Sequence, residues 1–452
     1  MKNLTTLLIG MLMLWTIVPA SGMNIGFTGG THKVITDKPP VSTGLDAIYT
    51  VYNIKEVTSL EISGIQNPAD FKVQVYSNLG GGFAIDTPAI INGSTASLAN
   101  PKGDMGYIIY DGSHRYCFWI VDYATKHFRV SSISGAMEQG CDDTRLTAEG
   151  SGDAIRYYSI SGMPCTLTRG IVMEYSTLEW DATNKNYLNI EKSSELESFQ
   201  NPIIIRPALL CNTVVKISGD RFMREWGEEE SAESEVITAN GLTVNTEAVQ
   251  TNLTDEEDNS NMIKGNDEML GGSAPADFTF YAYTSDAVIH NEWQIADDPD
   301  FEYIRYRFNE QDLTYTFNEE GKYYVRFIGS NADGSCEVTG DTYNVGIGSS
   351  ELRIPNAFSP DGDGVNDVWK VGYRSLIQFK CWIFYRNGRQ LFYFDRPELG
   401  WDGKHNGKTV SPGVYYYVIE AIGADGKKYK KGGDINILRY RKLGEGAGIP
   451  SE

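Results

Sequence analysis

The sequence predicts an all-β protein, a tandem string of β-sandwich domains. Three observations predict this. Short runs rich in Val, Ile, Tyr, Phe and Thr recur along the chain, clusters of Gly, Asn and Asp separate them at short intervals, and Tyr and Gly are abundant, with 27 and 47 residues among 452. Strand-length runs bounded by turn formers are the pattern of sandwich domains. The length suggests three or four domains, each able to bury a core because apolar content is ordinary.

The chain opens as a secretory signal peptide, residues 1–22. Met1-Lys2-Asn3 is a short basic start, Leu4 to Val18 is almost wholly apolar, and Pro19-Ala20-Ser21-Gly22 supplies small residues for cleavage after Ala20 or Gly22. The apolar stretch is short for a membrane span. The first cysteine is Cys117, so no cysteine follows the apolar run to carry a lipid. No later apolar run is long enough to cross a bilayer, so no transmembrane segment is expected after signal cleavage. The net charge of −21 argues against a nucleic-acid or anionic-membrane binder, because phosphates would be repelled.

Residues 23–133 read as a first β domain, with strands around Leu45–Tyr52 and Cys117–Tyr123. Residues 134–206 read as a second, sandwich-like domain, with strands at Arg156–Ile160 and Met173–Trp180 and a hairpin turn at Asn184-Lys185-Asn186. Residues 207–273 read as an irregular acidic segment. Asp220 can cap a short helix through Arg221, Met223 and Trp226, with Gly227 as its stop. The acidic runs Glu228-Glu229-Glu230 and Thr254-Asp255-Glu256-Glu257-Asp258 read as solvated loops, or alternatively as a calcium or partner site.

Residues 274–348 return to alternation. Phe278 and Phe280 alternate with Thr279 and Tyr281; Asn291–Ile295 contains Trp293; Leu313-Thr314-Tyr315-Thr316-Phe317 follows; then Gly321-Lys322-Tyr323-Tyr324-Val325 leads to Asn331. This order resembles the PKD family, a small immunoglobulin-like sandwich. The family's Asp-Phe-Gly-Asp-Gly loop is replaced by Ala296-Asp297-Asp298-Pro299-Asp300.

Residues 349–439 carry the strongest signal. Phe358-Ser359-Pro360-Asp361-Gly362-Asp363-Gly364 leads through Asn366 and Asp367 to Trp369. Arg386-Asn387-Gly388 sits between two apolar runs as a hairpin. Trp401-Asp402-Gly403 follows, then Gly413 with Tyr415 and Tyr416, then Gly433 and Asp434 in the last strand. Glycine frees the backbone for positive φ, and Asp and Asn cap local turns. These five blocks resemble the gliding-motility-associated C-terminal domain of the Bacteroidetes, the type B sorting signal of the type IX secretion system. The resemblance implies Sec export through the periplasm, translocation by the type IX machinery to the cell surface or extracellular space, and attachment to a porin-like outer-membrane partner. Two departures stand out: Asn387 occupies the place of a usual Trp, and residues 440–452 extend beyond the usual end as a tail that reads as flexible.

Asp361, Asp363, Asn366 and Asp367 also offer hard oxygen ligands, so calcium is a candidate ligand of this loop beside plain turn capping. No other cofactor is expected. Six cysteines permit disulfides in an exported chain; six allow fifteen pairings, of which Cys211–Cys336 and Cys141–Cys165 are the expected ones.

The motifs of common enzymes are missing. His32, His114, His127, His290 and His405 make no helical zinc pair. No Gly-x-Ser-x-Gly elbow occurs. Gly403–Thr409 fails as a phosphate loop because its first Gly sits one residue too late. No catalytic residue is therefore assigned. Trp119, Trp180 and Trp293 lie in strand-like runs and read as core rather than sugar platforms. The expectation is an exported, non-enzymatic surface protein with an adhesive, secretion-accessory or signalling role. The alternatives are a secreted hydrolase acting on glycans or proteins, with its site in the first two units, and a surface glycan-binding protein.

Overall fold

The structure, a computed structural model, describes residues 22–78, 83–251 and 270–438. The signal segment up to Ser21, the acidic run Thr254–Asp258, and the chain from Arg439, including the tail, lie outside the described residues. Two compact units divide the protein: one holds the chain up to Thr177 with Asn189–Thr238, the other Leu178–Leu188 with the chain from Ala239. The architecture is tandem immunoglobulin-like β-sandwiches. No helix among the described residues is long and apolar enough to cross a membrane.

The first sandwich pairs a four-stranded sheet (Asn24–Gly29, Val57–Ser63, Thr95–Ala99, Ile90–Asn92) with a six-stranded one. The latter runs, in spatial order, Ile35–Asp37, Ala47–Val51, Arg115–Asp122, Met105–Tyr110, Lys72–Tyr76, Ile85–Thr87. Ala47–Val51 lies parallel to Arg115–Asp122, with Phe118 opposite Ala47. In the strand Arg115–Asp122 every residue after Arg115 is buried. Successive side chains leave opposite faces of a strand, so this strand serves two cores. Phe118 and Ile120 join Leu60, Ile62, Tyr107 and Ile109 inside the sandwich. Cys117, Trp119 and Val121 join Ile48 and Tyr76 in a cluster that continues into the second domain through Phe128, Tyr157, Ile171 and Ile217. A run apolar at successive positions is what a middle layer requires.

The second domain contains a four-stranded sheet in the order Asn186–Leu196, Ile171–Asp181, Thr213–Ser218, Ser231–Ile237, and a three-stranded one of Arg129–Gly135, Thr144–Ser151 and Ile203–Ile205. The turn expected at Asn184–Asn186 joins the first two, with Lys185 at φ 53°. The expected boundary at Arg206 moves. Thr213–Ser218 and Ser231–Ile237 belong to this domain's sheet, and Val244–Gln250 pairs with Ala276–Thr284 in the next sandwich. The segment 207–273 is thus not an irregular stretch as a whole. Ser231–Ile237 reads Ser-Ala-Glu-Ser-Glu-Val-Ile, with only Ser234 and Ile237 buried. Such a strand carries almost no apolar period and becomes visible only through its partner.

The short helix forms where expected, at Arg221–Trp226. The Asp220 carboxylate accepts the Met223 N–H, and Gly227 closes the helix at φ 76°. Asp220 is fully buried beside an equally buried Arg169, their closest atoms 2.8 Å apart. The Tyr123 hydroxyl donates to the same carboxylate at 2.9 Å. Arg169 also donates to the carbonyls of Lys126 at 2.6 Å and Asp153 at 3.0 Å. The Glu228–Glu230 run is paired rather than bare. Glu228 accepts from Tyr52 (2.8 Å) and His32 (3.0 Å), contacts that hold its carboxyl below the usual range. Glu229 lies 3.5 Å from Arg224 and Glu230 lies 3.7 Å from His127.

The third sandwich sets Val244–Gln250, Ala276–Thr284 and Leu313–Phe317 against a sheet containing Tyr343–Ile347, Gly321–Ser330, His290–Ala296 and Ile304–Phe308. Phe278, Phe280, Trp293, Val325 and Phe327 fill its core. Trp119 and Trp293 are core residues. Trp180 is only partly buried, with its ring 5.1 Å from that of Tyr187 and 5.2 Å from that of Tyr283. The Ala296–Asp300 loop is folded by Asp298, which accepts the N–H groups of Asp300, Glu302 and Tyr303.

The expected disulfides do not form. Cys165 and Cys211, like Cys117 and Cys381, are thiols, which overturns both Cys211–Cys336 and Cys141–Cys165. A bridge needs Cα atoms within roughly 7 Å, and chain separation says nothing about that. Cys211 is buried, and Cys165 sits opposite Tyr157 in a two-stranded ladder. Burial pushes the Cys381 thiol up to about 12.

Two outcomes are expected. Asp220→Ala leaves Arg169 buried and unpaired and removes the helix cap, so urea unfolding followed by tryptophan fluorescence should show a loss of about 3–5 kcal/mol; a loss below about 1 kcal/mol would count against the network. Alkylation of denatured, unreduced protein should label Cys117, Cys165, Cys211 and Cys381, read by peptide mass mapping.

Candidate functional site

The C-terminal module is built on a five-stranded sheet in the order Ala357–Phe358, Lys428–Ile437, Gly413–Gly423, Leu376–Phe384, Gln390–Phe394. Ala357–Phe358 runs parallel to the last strand, with Phe358 opposite Ile437. The module adjoins the third sandwich through a reciprocal pair: the Ser375 N–H donates to Ser273 Oγ (2.8 Å) and Ser375 Oγ accepts from the Ala274 N–H (3.2 Å).

Its motif residues fall into three groups by what they touch. The first is an aromatic core. Trp369 and Trp401 are fully buried and face each other in a two-residue ladder. Phe358 packs on Trp401 with ring centroids 5.5 Å apart, and Tyr415 packs on the same indole at 5.4 Å. Each indole N–H is satisfied, Trp369 by the Pro355 carbonyl at 2.7 Å and Trp401 by the Lys404 carbonyl at 3.0 Å, as buried polar atoms require.

The second group makes turns. Asp367 organises the Asp/Gly loop: one carboxylate oxygen accepts the N–H groups of Asp361 (2.8 Å) and Gly362 (2.6 Å), the other that of Gly364 (2.7 Å). Gly362 and Gly364 stand at φ 83° and 86°, where a side chain would strain the backbone. Ser359 N–H donates to the Asn366 carbonyl and closes the loop. Asp402 accepts from the Lys404 N–H. At Gly403, φ 72°, an added Cβ would lie 2.9 Å from the Pro360 ring. Gly388 turns the 385–389 hairpin at φ 81°. The supposed phosphate loop is a small hairpin of Lys404–His405 and Lys408–Thr409.

The third group faces solvent: Arg386, Tyr416 and Asp434 are exposed. Gly413, at φ 150°, starts the strand that carries Tyr416, and Gly433 accommodates the Tyr417 ring, whose hydroxyl lies 2.7 Å from where a Cβ would be.

The Asp/Gly loop also has the only group of three or more metal-type ligands found among the described residues. Asp361, Asp363 and Asp367 bring ligand oxygens within 4.8 Å of one another. Calcium takes six to eight oxygens, so three carboxylates supply part of a shell. Backbone N–H bonds from Gly362, Gly364 and Asp361 lower the Asp367 carboxyl below its usual value.

For the other readings of the chain, the first unit offers an open concavity of about 710 Å³ on one sheet face, lined among others by Glu174, Glu191, Lys216 and Glu233. Ser176 donates to Glu191 there at 2.8 Å, and Lys216 stands 4.0 Å from Glu233. An aromatic group gathers Tyr306, Phe308 and Tyr315 in the third sandwich, but the rings are inclined by 40° to 60°. They do not form a flat platform for stacking a sugar.

The Asp367 bonds generate a pH test. A carboxyl whose folded value is lowered contributes stability that is complete above its unfolded value, about 3.9, and is lost as pH falls through the lower folded value. Asp367→Asn should therefore melt below the parent at pH 6, and the gap should narrow as pH falls below about 3.9. A gap unchanged from pH 6 to pH 3 would contradict the ionic bonding of this loop.

Comparison with known proteins assigns two segments. The model of the CHU_C type IX secretion signal domain matches residues 352–437, and that of a fibronectin type III domain matches residues 133–234. No curated protein matches. Among solved structures, one described as a tetra-tandem repeat in the extending region of a large adhesion protein is 11% identical, with 85% of this chain and 97% of that chain covered and a TM-score of 0.20. That score is too low to support an inference. A sorting signal of this kind sends its protein out of the cell, to the surface or beyond. The C-terminal module of this chain is a type IX secretion signal domain, preceded by a fibronectin type III-like domain.

Proposed function

We propose that the protein is a non-enzymatic component of the bacterial cell surface. It enters the periplasm by the Sec route through its N-terminal signal, crosses the outer membrane by the type IX machinery, and is held outside by a porin-like outer-membrane protein. There the sandwiches act in adhesion, as an accessory to secretion, or in surface signalling. One observation carries this reading: five motif blocks, spread over residues 352–437, fold into one module whose family is a secretion signal. Charge supports it. Residues 352–437 hold thirteen Lys and Arg against nine Asp and Glu, whereas the whole chain holds 39 against 60. A basic module behind an acidic cargo is electrostatically distinct from what it carries, which suits a part recognised separately.

Deleting Ile354–Glu452 and fractionating the cells tests the proposal. The truncated protein should accumulate in the periplasm, protected from external protease, while the full chain is cleaved by it. Equal surface exposure of both would refute the sorting role.

A further inference from the structure

The C-terminal sheet has one face packed on the core and one that is partly exposed. Residues directly opposite in an antiparallel ladder share a face, so the register identifies both. Cys381, Ile383, Ile419, Ala421 and Ile435 point inward and are buried. The outward rows place Trp382 between Tyr393 and Val418, with Gly432 beyond Val418, and place Phe384 beside Tyr416 and Asp434. The rings of Trp382 and Tyr393 lie 5.6 Å apart. Val414, Tyr416 and Tyr393 are 45%, 41% and 40% exposed. The outward face of an antiparallel sheet is ordinarily polar. Here the basic residues gather at one end, where Lys380, Glu420, Lys430 and Lys428 sit in adjoining rows and Glu420 pairs with Lys430 at 3.0 Å, while Asp434 and Asn436 lie at the other.

Gly432 adds a notch. A Cβ built there would meet only the Tyr417 carbonyl, at 3.4 Å, and its backbone lies outside the positive-φ set. A side chain would fit, yet the position is open beside Val418. An aromatic centre, a notch and a basic end form the pattern of a protein interface, with an apolar core and a polar margin.

We propose that this face, centred on Trp382, Tyr393, Tyr416 and Val418 with Gly432 as its notch, docks a folded protein partner that presents an apolar protrusion bordered by carboxylates. The proposal rests on the reading of the module as a surface-attachment signal and names the surface that does the attaching. Charge complementarity selects the partner: Lys380, Lys428 and Lys430 outnumber Glu420 at the basic end, and the module as a whole is basic in an acidic chain. A bilayer fits less well. Interfacial binding buries apolar side chains roughly 5–10 Å deep, whereas these side chains lie on a flat pleat at less than half exposure.

A photo-reactive benzoylphenylalanine placed at Tyr416 or Tyr393 of the full chain, in cells that make it, tests this. Tyr303, 75% exposed in the third sandwich, is the control position. Surface arrival is scored independently by external protease. Positions 416 and 393 should give the same single protein adduct, absent at 303, whose identified surface is acidic. Gly432→Leu, and separately Lys380→Glu with Lys428→Glu, should cut its yield at least tenfold without changing the melting midpoint or surface arrival. No adduct, an equal yield from 303, a lipid adduct alone, or an adduct with a second copy of this chain would overturn the proposal. Surface arrival without an adduct sinks the docking face alone, whereas an adduct without surface arrival sinks the export reading and leaves the face standing.

Discussion

A buried ion pair sets how the first unit is built. Asp220 and Arg169 are both without solvent exposure, and a charge in that position survives only if every donor and acceptor around it is matched. The match draws on four separated stretches of chain: Tyr123 and the Lys126 carbonyl at the end of the first sandwich, the Asp153 carbonyl, Arg169 before the long hairpin, and Asp220 at the helix start. Asp220 uses its second oxygen to cap the helix through the Met223 N–H. One carboxylate therefore ties the first sandwich, the second domain and its helix together. The apolar cluster that runs from Trp119 to Ile217 closes over it, and the low dielectric this creates raises the stakes of each bond.

The second unit follows a different plan. Its C-terminal module spends most of its recognisable residues on folding itself. Trp369, Trp401, Phe358 and Tyr415 are a mutually packed aromatic core, and Asp367 with Gly362 and Gly364 shapes a loop through backbone N–H bonds. Motifs of this kind identify the module because no other residues satisfy the same geometry, and not because each touches a partner. The surface available for recognition is the outward sheet face, where Tyr416 and Asp434 of the motif stand beside Trp382, Tyr393 and Val418, which lie between the motif blocks. The family pattern therefore marks only part of that surface.

How much was legible depended on whether the physical cause was local. Asp220 as cap and Gly227 as stop could be read directly, since helix capping involves residues three or four apart. The Asn387-Gly388 hairpin and the turns of the Asp/Gly loop are equally local. Strand Ser231–Ile237 was not legible: its outward glutamates mask an alternation that only pairing with Thr213–Ser218 reveals. The acidic run that follows the helix looked solvated because its partners His32, Tyr52 and His127 lie about a hundred or more residues away. The outward patch of the C-terminal sheet was hidden too. Val414, Tyr416 and Val418 sit in a strand whose apolar residues fill both faces, and sequence alone does not say which face the core will take.

The sequence by itself determined the all-β class, the order of the sandwiches, the short helix and the identity of the last module, because period-two alternation, turn chemistry and motif spacing act over a few residues. Only the tertiary structure decided where the second domain ends, which cysteines are thiols, that Arg169 finds Asp220, and which face of the last sheet is left open. Each of these depends on two distant stretches meeting, and the free energy of meeting resides in burial and pairing that neither stretch displays alone.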